Sequence, residues 1–175
     1  MSKVMVIGAG PAGIMAAITA AENHNVVLVD GNEKIAKKLF ITGKGRCNIT
    51  NGKDIGDFFD YIPGNPHFLY SALYSFTNND VIEMIESEGT KLKIERGGRI
   101  FPESDKSSDI IKALSKKLSK AKVDIKLNSK VTDVFFENNT IKSVEINNSQ
   151  KISADYFIIA TGGASYPLTG SRGEG

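Results

Sequence analysis

Cysteine, net charge and long apolar runs are all scarce in this sequence. Among 175 residues the one cysteine is Cys47, which excludes an internal disulfide framework and is typical of a reducing cytosol. No run of about 18 apolar residues occurs, so we expect no membrane span and a cytoplasmic protein. The formal net charge is only +2, which argues against a general nucleic-acid footprint, so we expect no nucleic-acid partner. The 41% hydrophobic and 24% charged residues are instead ordinary for a globular domain.

A glycine-rich turn near the N-terminus carries the first functional signal. Residues 3–7, KVMVI, predict a short strand, and IMAAITAAEN predicts a helix. Between them lies Gly8-Ala9-Gly10-Pro11-Ala12-Gly13, a G-x-G-x-x-G in the strand–turn–helix context that dinucleotide sites require. Gly8 permits the tight turn, Gly10 lets the backbone approach a pyrophosphate, and Gly13 lets the helix pack against the strand. Pro11 is tolerated in the first helical turn because its missing N–H has no helical partner there.

The second predicted strand ends in an acidic residue. NVVLVD, residues 25–30, places Asp30 22 residues after Gly8, close to the usual spacing of about 20. A carboxylate at this position accepts hydrogen bonds from both ribose hydroxyls of an adenosine. The turn and the acid together predict a dinucleotide site, for FAD or for NAD.

The stretch TGKGRCNITN, residues 42–51, is unusual for a surface turn. Its glycines can expose backbone N–H groups or lie flat under a ring system, and Arg46 can meet phosphate or flavin oxygens. Simpler interpretations remain open at this point. They are a surface salt bridge for Arg46, a solvated helix face for Lys37 and Lys38, and a small packing residue for Cys47.

The rest of the chain completes an α/β pattern. Residues 54–93 predict a helical excursion in which Asn79-Asp80 caps the second helix. IERGGRIFP, residues 94–102, predicts a hairpin with a Gly-Gly turn, and residues from about 130 to 153 predict a small antiparallel β-meander. DYFIIATGG, residues 155–163, is apolar enough to predict a strand buried on both faces of a parallel sheet.

Four groups of residues together resemble a known family. They are the glycine turn with Asp30, K-K-L-x-x-T-G-x-G-R-C-N-x-T-N at 37–51, G-R-x-F-P-x-S-D-K at 98–106 and A-T-G-G-x-S-Y-P-x-T-G-S at 160–171. With them the whole chain resembles the HI0933-like (BaiN/RdsA, YhiN-type) NAD(P)/FAD-dependent oxidoreductases. The resemblance implies an α/β fold class: a Rossmann-like, glutathione-reductase-type FAD-binding domain with a parallel central sheet and a small antiparallel β-meander.

The same resemblance implies a tightly bound FAD, with NAD(P)H as the electron donor. The pyrophosphate is expected at the glycine turn with Ala12 at the helix start, and Asp30 is expected on the ribose, where the family commonly has Glu. The other implied cofactor residues are Lys38 and Leu39 near the ribose and adenine, Gly45, Arg46, Cys47 and Asn48 towards the ribitol and flavin, Val131 at the adenine through its backbone, and Thr161 and Gly162 along the phosphates.

Activity and extent are also expectations from the resemblance. The implied reaction is hydride transfer from NAD(P)H to the flavin and then to an unknown organic acceptor, and no catalytic residue can be assigned. Family members are longer, so we expect residues 1–175 to form the FAD-binding domain, truncated relative to the family, with the substrate domain and the C-terminal segment absent. The sequence leaves open a homo-oligomer or a missing C-terminal half as partner.

Two alternatives to this activity stay open. One is an inactive or non-catalytic fragment that binds FAD or another nucleotide. The other is a fumarate-reductase-type or tRNA-modifying-type flavoprotein, against which the T-G-x-G-R-C-N stretch argues. We expect no metal site, because His67 has no cluster of acids or cysteines beside it.

Overall fold

Ten strands and five α-helices occur in the described part of the computed structural model, which comprises residues 1–164 and 173. The strands are β1 Lys3–Ile7, β2 Asn25–Val29, β3 Thr50–Asn51, β4 Leu92–Glu95, β5 Arg99–Pro102, β6 Asp124–Lys126, β7 Val131–Glu137, β8 Thr140–Ile146, β9 Gln150–Ser153 and β10 Tyr156–Ile159. The helices are α1 Pro11–Ala20, α2 Lys37–Ile41, α3 Tyr70–Ser75, α4 Asn78–Glu86 and α5 Ser107–Lys120. The predicted S-Y-P-x-T-G-S end of the last motif, residues 165–171, lies outside the described residues.

Two compact units divide the chain. The first unit comprises Met1–Leu39 with the described residues from Leu114 onward, and the second unit is Phe40–Ala113. The second unit is therefore one continuous stretch of chain, whereas the first is assembled from two stretches.

A four-stranded parallel sheet, in the order β10-β1-β2-β6, is the centre of the first unit. β1 is central: Val4 is in register with Val26 on one side and with Tyr156 on the other. β1 and β2 are rich in valine and mostly buried, as strands covered on both faces must be. The predicted α/β fold with a parallel central sheet is confirmed.

β10 differs from the prediction, because it lies at an edge of this sheet. Within the described residues its one neighbour is β1. Tyr156 is 61% exposed and Ile159 is 56% exposed, so the prediction of a strand buried on both faces was wrong. Phe157, between them, does pack against the core of the unit. The two middle residues of β10, Phe157 and Ile158, are thus partly buried, whereas the two end residues are exposed.

Opposite faces of the parallel sheet are covered by different elements. Met5 and Ile7 of β1 form a cluster with Val144 and Ile146 of β8, in the antiparallel sheet β7-β8-β9. The residues between them on β1 point to the other face, and α1 contacts both β1 and β2. Ile14 of α1 is fully buried, so the helix that follows the glycine turn packs directly on this face of the sheet.

Asparagine pairs close the antiparallel β-meander. Asn138 and Asn139 have φ angles of 48° and 58°, and Asn147 and Asn148 have φ angles of 53° and 54°. Asparagine adopts this left-handed conformation more readily than most residues. Asn138 and Asn139 form a two-residue hairpin loop between β7 and β8, and Asn147 and Asn148 begin the three-residue loop between β8 and β9. The meander predicted at about 130–153 is confirmed.

An antiparallel sheet in the order β3-β5-β4 lies in the second unit. β4 and β5 form the hairpin predicted at 94–102, with Gly97 and Gly98 at φ angles of 79° and 76° in its turn. β3, which pairs Thr50 with Ile100, was not predicted, because two residues show no periodicity.

The segment from residue 55 to residue 76 contains no buried residue. Its rings contact one another instead: the centroid of Phe59 lies 4.9 Å from that of Tyr70 and 6.0 Å from that of Tyr74. Phe68 is 81% exposed. The aromatic spacing in this part of the helical excursion therefore marks ring stacking at the surface rather than a core-facing stripe.

α4 begins with a capping box. The hydroxyl oxygen of Thr77 accepts from the N–H of Asp80, and the N–H of Thr77 donates to Asp80 Oδ2 at 2.6 Å. The hydroxyl bond and the backbone bond from Thr77 lower the pKa of the Asp80 carboxyl. The cap predicted at Asn79-Asp80 was thus misplaced. Asn78 is buried, and its amide donates to the carbonyl of Asn51 at 2.7 Å.

Thr77→Ala is expected to lower the free energy of unfolding by about 1 kcal/mol, because it removes the cap of α4. Urea unfolding measured by circular dichroism checks this. Ser119→Ala, at an exposed position within α5, is the matched control and should change the free energy by less than about 0.5 kcal/mol. Equal effects of the two substitutions would contradict the capping role.

Candidate functional site

The glycine turn follows β1, at the carboxyl end of the parallel sheet. Gly8 has a φ of +106°, and a Cβ there would meet the carbonyl oxygen of Ala160. A Cβ on Gly13 would meet the carbonyl oxygen of Gly8. Packing within the protein therefore requires both glycines, and it brings the turn against the residues that follow β10.

Gly10 is different, because a Cβ built on it has no atom within 4 Å. It is the N-cap of α1, with φ −76° and ψ 177°, and no side chain caps the helix. Neither Pro11 nor any other residue of the first turn is acidic. The helix itself provides no partner for the N–H groups of Ala12 and Gly13, so this end of α1 has the donors and the dipole that suit an anion.

Asp30 connects the end of β2 to the glycine turn. Its Oδ2 accepts from the N–H of Ala9 at 2.7 Å. Its Oδ1 accepts from the backbone N–H of Asn32 at 2.7 Å and from the side-chain amide of Asn32 at 2.8 Å. A carboxylate oxygen has two acceptor positions, so one position on Oδ2 remains for a ribose hydroxyl.

The segment after Asp30 packs on the turn, and the sequence did not single it out. The N–H of Ala36 donates to the carbonyl of Ala9 at 2.7 Å, and Ala36 is buried in the left-handed conformation with φ 55°. Lys37 Nζ donates to Asn32 Oδ1 at 3.0 Å. The D-x-N pattern was the available signal, because aspartate readily accepts from the N–H two residues on.

Val131 follows a loop that contacts the end of β2. The N–H of Ser129 donates to the carbonyl of Asp30 at 2.8 Å. A Cβ on Gly31 would lie 3.3 Å from the Cβ of Lys130. Asp30, Gly31 and Asn32 form what we call the Asp30 loop. The structure therefore places Val131, the first residue of β7, directly after residues that contact this loop.

The chain after β10 completes this edge of the first unit. Thr161 is half-buried, and Gly162 has a φ of 79°. Lys38 Nζ donates to the carbonyl of Gly163 at 3.2 Å, and half-buried Leu39 follows Lys38 in α2. The first unit thus brings together the glycine turn, the Asp30 loop and the A-T-G-G segment.

In the second unit, the loop of the T-G-x-G-R-C-N motif has an unusual backbone. Residues 43–45 have φ angles of 57°, 59° and 85°, and Cys47 has 64°. The N–H of Arg46 donates to the carbonyl of Gly43, and the N–H of Cys47 to that of Thr42. The loop itself therefore uses two of the N–H groups that the sequence offered to a ligand, whereas the side chain of Asn48 is exposed.

Cys47 is fully buried. Burial raises the pKa of its thiol, and the hydrogen bond with the Thr42 side chain offsets part of that rise. A buried thiol with a raised pKa has little thiolate character. This environment agrees with the interpretation of Cys47 as a packing residue.

The guanidinium of Arg46 is engaged by protein groups. Its Nη1 lies 2.8 Å from Glu95 Oε1 and 3.2 Å from Asp105 Oδ1. Its central carbon lies 4.2 Å from the ring centroid of Phe101. The bond to Glu95, followed by that to Asp105, raises the pKa of Arg46. The structure thus contains the ion pair that the sequence left open, and its two acids were not predicted.

Comparison with a family model establishes the family of this chain. The model of the HI0933-like protein Rossmann domain matches residues 2–175. The chain belongs to the HI0933-like family. The family predicted from the four groups of residues is therefore confirmed.

Curated relatives of this HI0933-like chain have different names. It is 34% identical to the 3-dehydro-bile acid delta(4,6)-reductase of Clostridium scindens, over 100% of this chain and 42% of that protein. It is 32% identical to the ribosomal RNA dihydrouridine synthase of Escherichia coli, over 95% of this chain and 41% of that protein. The HI0933-like chain therefore spans about two fifths of the length of these relatives.

Solved structures share the fold of this HI0933-like chain. The open conformation of a flavocytochrome c3 fumarate reductase matches with a TM-score of 0.64 and 23% identity, over 93% of this chain and 34% of that one. Thermovibrio ammonificans THI4 matches with a TM-score of 0.62 and 17% identity, over 96% of this chain and 60% of that one. At these identities the likeness establishes the fold alone.

Neither a metal centre nor a membrane helix emerges from the residues described for this HI0933-like chain. Among residues 1–164 and 173, no three or more His, Cys, Asp or Glu side chains form a group that could hold a metal ion. In the same part of the chain, no helix has both the length and the apolar character that a membrane crossing needs.

Two substitutions in the glycine turn should distinguish a glycine that packing requires from one that faces open space. Gly13→Ala is expected to lower the free energy of unfolding by about 1–3 kcal/mol, because the new Cβ meets backbone. Gly10→Ala should change it by less than about 1 kcal/mol, because nothing lies in its way and Ala only replaces an N-cap glycine. Thermal and urea unfolding of both variants check this. A large loss for Gly10→Ala would contradict the open space seen at Gly10.

Asp105 should make stability depend on acid pH. The bond from Lys93, and then that from Arg46, lowers the pKa of its carboxyl below the ordinary 3.8. A depressed folded-state pKa stabilises the fold above the unfolded value, and the stabilisation disappears as pH falls through the folded pKa. Asp105→Asn should therefore destabilise the protein at about pH 7 and much less at about pH 2.

Urea unfolding as a function of pH measures this effect. Glu103→Gln, an exposed carboxylate two residues away, is the matched control and should leave the pH profile unchanged. The interpretation fails if Asp105→Asn and Glu103→Gln give superimposable profiles.

Proposed function

We propose that this chain binds FAD and forms the cofactor-binding part of an oxidoreductase that uses NAD(P)H as electron donor. Family membership supports the oxidoreductase, and the glycine turn supports the dinucleotide. The single observation that carries the proposal is the open backbone at Gly10, beside the uncapped N-terminus of α1. There a side chain would take the space that a pyrophosphate needs.

The residues of the first unit fit this cofactor. The N–H groups at the start of α1 can donate to the pyrophosphate, and the free acceptor position on Asp30 Oδ2 can take a ribose hydroxyl. Lys38 and Leu39, Val131, and Thr161 and Gly162 are proposed to bind the remainder of the ADP part. For FAD rather than NAD, the argument is the resemblance of the full motif set to flavoproteins.

Residues of the second unit are proposed for the flavin side. Gly45, Cys47 and Asn48 belong to the T-G-x-G-R-C-N motif that the resemblance assigns to the ribitol and the flavin. When bound, such a cofactor supplies two-electron transfer to an organic acceptor, whereas the protein supplies binding and orientation. The backbone of this loop would then shape the contact surface for the ring.

The acceptor is proposed only as an organic molecule. One relative is named for a bile acid and the other for ribosomal RNA, so similarity at this level does not select between them. A net charge of +2 supports the expectation of no nucleic-acid partner for this chain. The cytoplasmic location and the oligomeric state likewise stay predictions.

A second candidate function is cofactor binding without turnover. Asp80, Asp105 and Asp109 have lowered carboxyl pKa values, and hydrogen bonds to Thr77, Lys93 and Ser104, respectively, are the main causes. These three carboxylates belong to a helix cap and to surface ion pairs and hydrogen bonds. They are therefore not poised as general acids, and none of the three is proposed to take part in turnover.

Absorbance of the purified chain tests the proposal. After incubation with FAD and desalting, we expect flavin bands at about 370 and 450 nm. Gly10→Ala should raise the Kd for FAD and for ADP by about tenfold or more, equivalent to ~1.4 kcal/mol, while its circular dichroism spectrum stays that of the parent chain.

The outcomes separate the candidates. Retained flavin with NAD(P)H-dependent bleaching supports the oxidoreductase, and retained flavin without bleaching supports binding alone. A folded chain that binds neither FAD nor ADP would contradict both. Binding of NADH but not of FAD would instead indicate a nicotinamide site.

A further inference from the structure

Four charged side chains of the second unit form one connected group, which we call the Arg46 cluster: Arg46, Lys93, Glu95 and Asp105. Arg46 contacts both acids, as described above. Lys93 Nζ lies 2.6 Å from Asp105 Oδ2 and 3.7 Å from Glu95 Oε1. Each acid thus meets both cations, and all four side chains are between 27% and 44% exposed. Networks of this kind hold geometry better than isolated surface pairs do.

The Arg46 cluster joins two of the four motifs. Arg46 belongs to T-G-x-G-R-C-N, and Asp105 belongs to G-R-x-F-P-x-S-D-K. The second of these also supplies Phe101, whose ring lies under the guanidinium and is 1% exposed. β3 continues the connection, because Thr50 pairs with Ile100. The loop is therefore attached to the hairpin at its charged residue and again at its end.

This attachment offsets the free-energy cost of the left-handed backbone in the loop. Residues 43–45 are all left-handed, and Lys44 among them is not glycine. Cys47 is left-handed as well. A left-handed non-glycine residue costs about 1–2 kcal/mol, so this backbone persists only where surrounding contacts determine it. Arg46 lies between the two strained positions, so its ion pairs add to the backbone hydrogen bonds of Arg46 and Cys47 in holding them.

Direct phosphate binding by Arg46 is disfavoured by the same contacts. The carboxylates of Glu95 and Asp105 already take the nitrogen Nη1. A phosphate brought to that nitrogen would meet two negative groups at short range, and like charges at such distances repel. With two cations and two anions, the Arg46 cluster has no formal charge left over to attract an anion.

We propose that Glu95 and Asp105 are positioning residues for the flavin side of the cofactor: they hold Arg46, and through it the T-G-x-G-R-C-N loop, in the binding conformation, and Arg46 does not bind the cofactor phosphates. The inference rests on the proposed FAD binding. It differs from the resemblance-based role for Arg46, because the argument comes from the partners of the guanidinium.

The double variant Glu95→Gln/Asp105→Asn distinguishes loop positioning from phosphate binding by Arg46, because the two roles change the Kd for FAD in opposite directions. If the acids position the loop, their loss should raise the Kd for FAD by about tenfold or more. If Arg46 binds phosphate, their loss frees the guanidinium and the Kd for FAD should fall. ADP lacks the flavin side, so it should bind the double variant and the parent chain equally. General destabilisation of the double variant would instead weaken the binding of both FAD and ADP.

Glu103→Gln is the matched control, since it removes an exposed carboxylate from the same unit. FAD and ADP titrations of the parent, the double variant and the control, followed by flavin absorbance and by calorimetry, give the six constants needed. Weaker FAD binding with unchanged ADP binding supports the inference. An FAD affinity that is unchanged or tighter in the double variant overturns it. If the double variant does not fold, Glu95→Gln alone tests the same inference, because it removes the shorter of the two ion pairs of Arg46 and leaves the pair between Lys93 and Asp105 in place.

Trypsin cleavage of the cofactor-free chain tests loop holding even if FAD does not bind. Lys44 is exposed, so cleavage after it requires only that the loop adapts to the protease. We expect the double variant to be cut there about tenfold faster than the parent and than Glu103→Gln. Equal cleavage rates would overturn the inference. A parent chain that binds no FAD fails the proposed function instead, and the cleavage rates still decide whether the acids hold the loop.

Discussion

Two hydrogen bonds hold the glycine turn against the end of β2: the N–H of Gly8 donates to the carbonyl of Val29 at 2.8 Å, and the N–H of Ala9 donates to the carboxylate of Asp30 at 2.7 Å. Ala9 is 1% exposed, so both of its backbone polar groups need partners. The N–H finds Asp30 and the carbonyl finds Ala36. A buried polar group without a partner costs about 1–3 kcal/mol. The same carboxylate accepts from Asn32, so a side chain that the sequence indicated only as a ribose ligand also has a structural role in this loop.

Much of the fold could be predicted from the sequence, because its signals are local. The strand–glycine–helix unit, the Gly97-Gly98 hairpin and the asparagine-closed meander each depend on residues that lie close together in the chain. Sheet order is not local. β10 was expected to be buried on both faces, whereas it is an edge strand with exposed ends, because an apolar run does not reveal what covers a strand. The helical spacing of the aromatic residues from 55 to 76 predicted a core-facing stripe, which the structure does not contain. Such spacing shows that residues share a helix face but not that the face packs on a core.

The site was predictable as a set of motifs but not as a set of contacts. Gly8, Gly10 and Gly13 carry the same letter, yet two are required by packing and one faces open space. Arg46 was identified as a cation, whereas its acids lie about fifty residues further along the chain. Pairing over such distances leaves no periodic trace in one sequence. The Thr77 cap, by contrast, was within reach, since a threonine followed three residues later by an acid is a helix-start signal.

The division of the first unit into two stretches of chain has a consequence for the order of folding. Lys3 bonds to Asp155, which lies 152 residues away in the sequence, and closing so long a loop before any contact rewards it is slow. The second unit is continuous, and the meander closes through turns of two and three residues, so both can form from neighbouring segments. During synthesis β1 can therefore pair with β2 early, whereas its other side waits for β10, so the contact of the glycine turn with the end of β10 is among the last to form.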